Sequence, residues 1–196
     1  MNFIKKNGLV VGLVAVLALV IVAFFGLGNG IAKQENNVDE AYANIDTQLQ
    51  RRNDLIPNLV EVVKGYANHE DKIFEEIANA QNAMKQASTV SETATANSQL
   101  TSAYRAMVAL QVSYPDIKAD KQFIQLSDEI AGTENRIAVA RTRYNKVVKT
   151  YNTKISMFPS SIVASMKGAD KAEYFTADES AKNAPKVNFE TDDSDK

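Results

Sequence analysis

Apolar residues follow two different rhythms along this chain. Residues 9–27 run without a single charge behind Lys5 and Lys6. About nineteen residues at 1.5 Å rise cover roughly 28 Å, the thickness of a bilayer core. From Val38 the apolar positions instead step by alternating fours and threes, through Tyr42, Ile45, Leu49, Ile56, Leu59, Val63 and Tyr66, with Arg52 on the same seam. Over about 30 residues this heptad spacing excludes a strand and predicts a helix with one buried stripe. The same stepping recurs at Ile73, Ile77, Ala80, Met84 and Ala87, before a polar turn at residues 88–91. A third run takes in Ala96, Leu100, Ala103, Met107, Leu110 and Tyr114, and Pro115-Asp116 ends it. The fourth starts near Asp120 and carries Phe123, Leu126, Ile130, Thr133, Ile137, Ala140, Tyr144, Val147, Tyr151, Ile155 and Phe158. Pro159 stops it after nearly 40 residues, on the order of 57 Å.

Between span and seam lie Gly26, Gly28 and Gly30, each lowering helix propensity by about 1 kcal/mol, which predicts a break or hinge at the membrane surface. The helix is expected to restart near Asn37, a capping residue, with Asp39 and Glu40 in its first turn. The expected fold is all-α: an N-terminal transmembrane helix, then an antiparallel up-down four-helix bundle with long first and fourth helices. Residues 1–32 form a cytoplasmic stub, anchor and glycine hinge, and residues 33–175 form the bundle. In the bundle's last part a short apolar turn at residues 160–164 folds back and Tyr174-Phe175 docks as a cap. Residues 176–196 form an acidic tail, expected to be disordered because it buries too little apolar area to offset the entropy of ordering.

Composition narrows the function classes. Without Lys5 and Lys6 the chain holds 20 basic against 24 acidic residues, a net charge of about −4 spread evenly, so no basic face for nucleic acid is formed. The absence of cysteine excludes disulfides, thiolate metal sites, thiol nucleophiles and bacterial lipid attachment. A single histidine, His69, cannot make a multi-histidine metal site. A cleaved signal peptide is the alternative to a retained anchor. The apolar run exceeds the usual 7 to 15 residues, however, and Gly30-Ile31-Ala32 matches a cleavage site only loosely, so the anchor is favoured. Lys5 and Lys6 before the span, against Lys33, Arg51 and Arg52 after it, are expected to keep the amino end in the cytoplasm and the bundle on the outer side of the membrane.

The run Val38-Asp39-Glu40-Ala41-Tyr42-Ala43-Asn44-Ile45, then Gln48-Leu49-Gln50-Arg51-Arg52-Asn53-Asp54-Leu55-Ile56-Pro57-Asn58-Leu59-Val60, closely resembles the signature of the LemA family. Tyr114-Pro115-Asp116-Ile117-Lys118-Ala119, Thr133-Glu134, Ala140-Arg141, Tyr144-Asn145, Tyr151-Asn152 and Phe158-Pro159 follow in that family's order. The resemblance extends from Val38 to Phe175. It implies a single amino-terminal span, an all-helical bundle, a bacterial cell membrane and no assigned biochemical activity. Residues 167–171 are more polar than the family pattern.

Candidate chemistry is sparse. Adjacent helical residues point about 100° apart, so Glu75/Glu76, Asp128/Glu129 and Asp192/Asp193 read as solvated faces rather than converging dyads. His69 beside Glu70 and Asp71 reads as a capping or surface group. The most informative polar set is Arg51, Arg52 and Asp54. Arg52 occupies a seam position that calls for an apolar side chain, and either fixes register through a partner or snorkels to water. If Val38 faces Phe158, antiparallel pairing puts Arg52 level with Tyr144 and Asn145 on the fourth helix. Pro57, next to Asn58, removes the hydrogen bond to the Asn53 carbonyl and predicts a kink, with a binding groove at the bend as the alternative. Through the resemblance, Asn58, Glu134, Arg141, Tyr144, Asn145 and Asn152 join this group as structural or interaction positions. No catalytic, cofactor-binding or metal-binding residue is assigned. A Gly8-x-x-x-Gly12 spacing and the long seams leave a homo-oligomer as the alternative to an internal bundle, which the proline breaks and short connections favour.

No phosphate loop, metal-ligand spacing or nucleophile–base set is legible. The expected function is that of a membrane-anchored scaffold acting through an unidentified protein partner, without catalysis. An accessory or sensor subunit of a membrane enzyme or transporter, signalling through the glycine hinge, is the rival.

Overall fold

The computed structural model describes residues 8–176. The basic stub, Asp192/Asp193 and all of the expected tail except Thr176 lie outside them. Five α-helices follow in order: α1 Gly8–Lys64, α2 Asp71–Gln86, α3 Val90–Ala109, α4 Lys121–Ser156 and α5 Ser160–Lys167, with a 3-10 turn at Pro115–Ala119 before α4. There is no strand among the described residues. The long helices α1 and α4 pack along each other, α2 and α3 form a second pair, and α5 closes the base against α1 and α4.

The expected hinge is absent. α1 runs unbroken through Gly26, Gly28 and Gly30 and past Asn37, which donates to Gln34 within the helix instead of capping a new one. Tertiary packing explains why weak propensity is overridden. Gly28 is buried, and a Cβ there would meet the Lys167 ammonium at 2.8 Å; at Gly30 it would meet that of Lys154 at 2.5 Å. Lys154 Nζ donates to the Gly30 carbonyl at 2.7 Å. These glycines leave room for two lysines to lie over the helix, and the packing of α1 against α4 and α5 here outweighs a propensity cost of about 1 kcal/mol each.

Pro57 is likewise inside α1, which continues through it to Lys64. The Asn53 carbonyl that proline cannot serve accepts a hydrogen bond from Gln81 Nε2 of α2 at 3.1 Å. The backbone group freed by the ring is thus reused to fasten α2 to α1.

Two apolar clusters make the core. The one nearer the apolar run joins Ile31, Ile45 and Leu49 of α1 to Ile137, Tyr144, Val148, Tyr151 and Ile155 of α4 and Val163 of α5. The distal one joins Ile56, Leu59 and Val63 to Phe74 and Ile77 of α2, Leu100 and Met107 of α3 and Ile130 of α4. Most seam positions are buried as the spacing predicts. Tyr66 and Phe158, at its two ends, are exposed, and on α4 Val148 is buried where the spacing selects Val147.

Helix starts are chemically explicit. Thr89 and Glu92 form a capping box at α3, in which Glu92 N–H donates to Thr89 Oγ1 and the Glu92 carboxylate accepts from Thr89 N–H and from the N–H and hydroxyl of Ser88. Asp120 caps α4, accepting from the N–H groups of Gln122 and Phe123 and from the Tyr66 hydroxyl. The Ser88 N–H above all holds Glu92 below the usual carboxylate range, and the Phe123 N–H does so for Asp120. A carboxylate lowered in the folded state contributes stability that is complete above its unfolded value and lost as pH falls through its folded one. Glu92→Gln should therefore lose less thermal stability than the parent between neutral pH and about pH 3, whereas parallel pH curves would deny the cap an electrostatic role.

Candidate functional site

The two apolar clusters are separated by a polar layer. On α1, Leu49 belongs to one cluster and Ile56 to the other, with Arg52 between them. On α3, Asn97 lies between Ala94 and Leu100, and on α4, Thr133 lies between Ile137 and Ile130. Arg52, Asn97 and Thr133 are all buried, so one polar residue from each of three helices sits at the same level.

Arg52 is only 1% exposed. Its Nη1 donates to Asn97 Oδ1 at 3.1 Å and Thr101 Oγ1 at 2.9 Å, and its guanidinium carbon lies 5.8 Å from the centre of the Tyr104 ring. Burial lowers its pKa, and the field of Glu134 partly restores it. An arginine nonetheless remains charged. Burial is as the register reading expects and rules out snorkelling, but the partner helix is a correction. Asn97, Thr101 and Tyr104 are all on α3, whereas Tyr144 and Asn145 of α4 are engaged elsewhere. Level pairing of α1 with α4 fixes height along the bundle but not which neighbouring helix a seam side chain meets. The guanidinium instead turns toward the helix that offers hydroxyl and carboxamide acceptors at positions 97 and 101, one turn apart.

Tyr144, Asn145 and Asn152 hold the segment after α5. Asn145 accepts from Phe175 N–H at 2.9 Å and donates to its carbonyl at 3.0 Å. Asn152 does the same for Ala172, at 2.9 Å in both directions. The Tyr144 hydroxyl donates to the Glu173 carbonyl at 2.8 Å, and burial pushes its pKa up to about 12. Two carboxamides seven residues apart thus each satisfy both backbone groups of one residue in a strap that runs back along α4. The strap ends on Phe175, which is buried, with the Arg141 guanidinium 4.9 Å above its ring. Of the expected cap pair, Phe175 docks and Tyr174 stays exposed.

The remaining candidates do not converge. Arg51 meets Glu129 at 3.9 Å and Glu134 meets Arg105 at 3.0 Å, both near the surface, where such pairs contribute about 0–1 kcal/mol. Asp54, Pro57, Asn58 and His69 are exposed. Among the described residues no three His, Cys, Asp or Glu side chains are placed to hold a metal ion.

A cleft of about 760 Å³ opens where α3 and α4 diverge, floored by Arg52 and Asn97 and walled by Glu76, Arg105, Glu134 and Arg141. It gathers three of the candidate positions, Arg52, Glu134 and Arg141, and leaves the others outside. Sequence inspection missed Asn97, Thr101 and Tyr104, the partners of Arg52. The available signal was the polar pair Asn97 and Thr101, four apart and each next to a seam position, Ala96 and Leu100.

A model of the LemA family matches residues 41–189. The Protein LemA of Metamycoplasma hominis is 24% identical over 178 residues, spanning 90% of this chain and 81% of that one. Magnetosome protein MamQ 2 of Paramagnetospirillum magneticum is 24% identical over 199 residues, covering 86% of this chain and 73% of its own. Magnetosome protein MamQ of Magnetospirillum gryphiswaldense is 21% identical over 192 residues, covering 85% and 69%. With the signature block on one helix, the Tyr-Asn pairs on the other and the family match over most of its length, the chain belongs to the LemA family.

Proposed function

We propose that this protein is a membrane-anchored scaffold that acts by protein–protein contact at the bacterial cell membrane, without catalysis, its amino end cytoplasmic and its bundle outside. The observation that carries this reading is the cleft between α3 and α4, an open surface of mixed polar and apolar side chains above a buried arginine, large enough to receive a partner's side chains. The apolar, fully exposed start of α1 supports the anchor. An accessory-subunit role draws support from a different feature. α1 is one helix from the span into the core, so a change at either end is transmitted rigidly rather than through a hinge.

The test places a photo-crosslinking residue at the exposed Ser102 on the cleft rim and, as a control, at exposed Val139 on α4. Irradiated spheroplasts are then treated with external protease. A discrete adduct from Ser102, absent from Val139 and degraded by the protease, is the expected result. Equal labelling from both positions would overturn the cleft as the contact surface, and an adduct resistant until the membrane is breached would reverse the orientation.

A further inference from the structure

We propose that the base of the bundle, the turn after α4 together with the outer face of α5, inserts into the bilayer interface as a second membrane contact beside the span. This rests on residues 9–27 lying in the membrane, as the preceding reading requires. The inner face of α5 fixes its depth. Val163 and Ala164 pack in the cluster that also takes in Phe24 and Leu27, the last turn of the apolar run, and Val163 faces Gly28. α5 therefore stands at the level where the span leaves the hydrocarbon.

Its outer face is apolar. Ile162 and Met166, one turn apart, are 55% and 71% exposed, and Met157 and Phe158 in the preceding turn are 60% and 80% exposed. Four large apolar side chains within ten residues, facing away from the core, are costly in water but suited to the headgroup–acyl boundary, into which such faces sink by about 5–10 Å. Residues 154–169 carry Lys154 and Lys167 and no acidic group. Both ammonium groups lie beside the span's exit, over Gly30 and Gly28, where they meet anionic headgroups. Continuity with the span selects lipid as the occupant over a second copy of the chain: an apolar face alongside Phe24 and Leu27 meets the bilayer that surrounds those residues.

With no native cysteine, single Cys variants of the full chain can carry an environment-sensitive nitrobenzoxadiazole dye in liposomes of phosphatidylcholine and phosphatidylglycerol containing doxyl-labelled lipid. Val16→Cys in the span and Val139→Cys, 71% exposed far up α4, are the controls. Dye at Ile162→Cys and Met166→Cys should be quenched at least about twofold more than at Val139→Cys, as expected for side chains sunk into the interface. Quenching at Val16 but only background quenching at 162 and 166 overturns the proposal while leaving the anchor intact. No quenching at Val16 removes the anchor itself. Burial of the dyes at 162 and 166 that depends on protein concentration and not on lipid would assign the face to a second copy and overturn the bilayer contact.

Discussion

Phe175→Ala should destabilise the protein by about 3–5 kcal/mol, the usual cost of emptying a buried phenylalanine site. The ring is buried among Tyr144, Val148 and the rest of the cluster nearer the apolar run, and its backbone is clamped at both ends by Asn145. Because the strap can detach rather than leave a cavity, the loss is capped by the free energy of docking the whole segment. Removing a clamp attacks the same energy by another route. Asn145→Ala leaves the N–H and carbonyl of Phe175 unpaired against α4, at about 1–3 kcal/mol for a buried group. The neighbouring Tyr174→Ala, on an exposed side chain, should fall within about 0.5 kcal/mol. Denaturant titration of the full chain in detergent measures all three. Near-equal, small effects of Phe175→Ala and Tyr174→Ala would mean that the strap is not part of the folded core.

The second large effect concerns Arg52. Arg52→Ala should cost more than about 1 kcal/mol, because it opens a cavity between the two apolar clusters and leaves Asn97 Oδ1 buried without a donor. Arg52→Leu should cost clearly less, since it refills the space, and adding Asn97→Leu should recover more by removing the orphaned acceptor. The coupling between positions 52 and 97 in a double-mutant cycle reads the layer directly. Equal and negligible costs of Ala and Leu would show that the buried guanidinium contributes neither packing nor register.

The helix that partners Arg52 is not legible in α1. The heptad count correctly made Arg52 a buried seam residue, but a seam position faces several helices. Which of them supplies acceptors depends on how α3 is rotated, and no local pattern on α1 contains that information. The glycine hinge failed in the same way: propensity is a local average, while Gly28 and Gly30 are decided by Lys167 and Lys154, more than 120 residues away in the chain. Pro57 was partly legible. The lost hydrogen bond at Asn53 followed from the ring alone, but its replacement by Gln81 required α2 to be in place. Tyr144, Asn145 and Asn152 were legible as a motif without a task, because the strap they hold becomes visible only when the chain folds back after α5.

By itself, then, the sequence determined the apolar run, the heptad seams, the end of α4 just before Pro159 and the family, because each is written in spacing that one helix reads along its own axis; α3 instead ends at Ala109, ahead of the Pro115 that was expected to stop it. Only the tertiary structure decided that α1 is continuous, that Arg52 turns to α3, that the α4 asparagines clamp the strap and that α5 lies beside the last turn of the apolar run. Each of these depends on side chains meeting across helices, where packing and desolvation outweigh the propensity differences of about 1 kcal/mol that a local pattern can express.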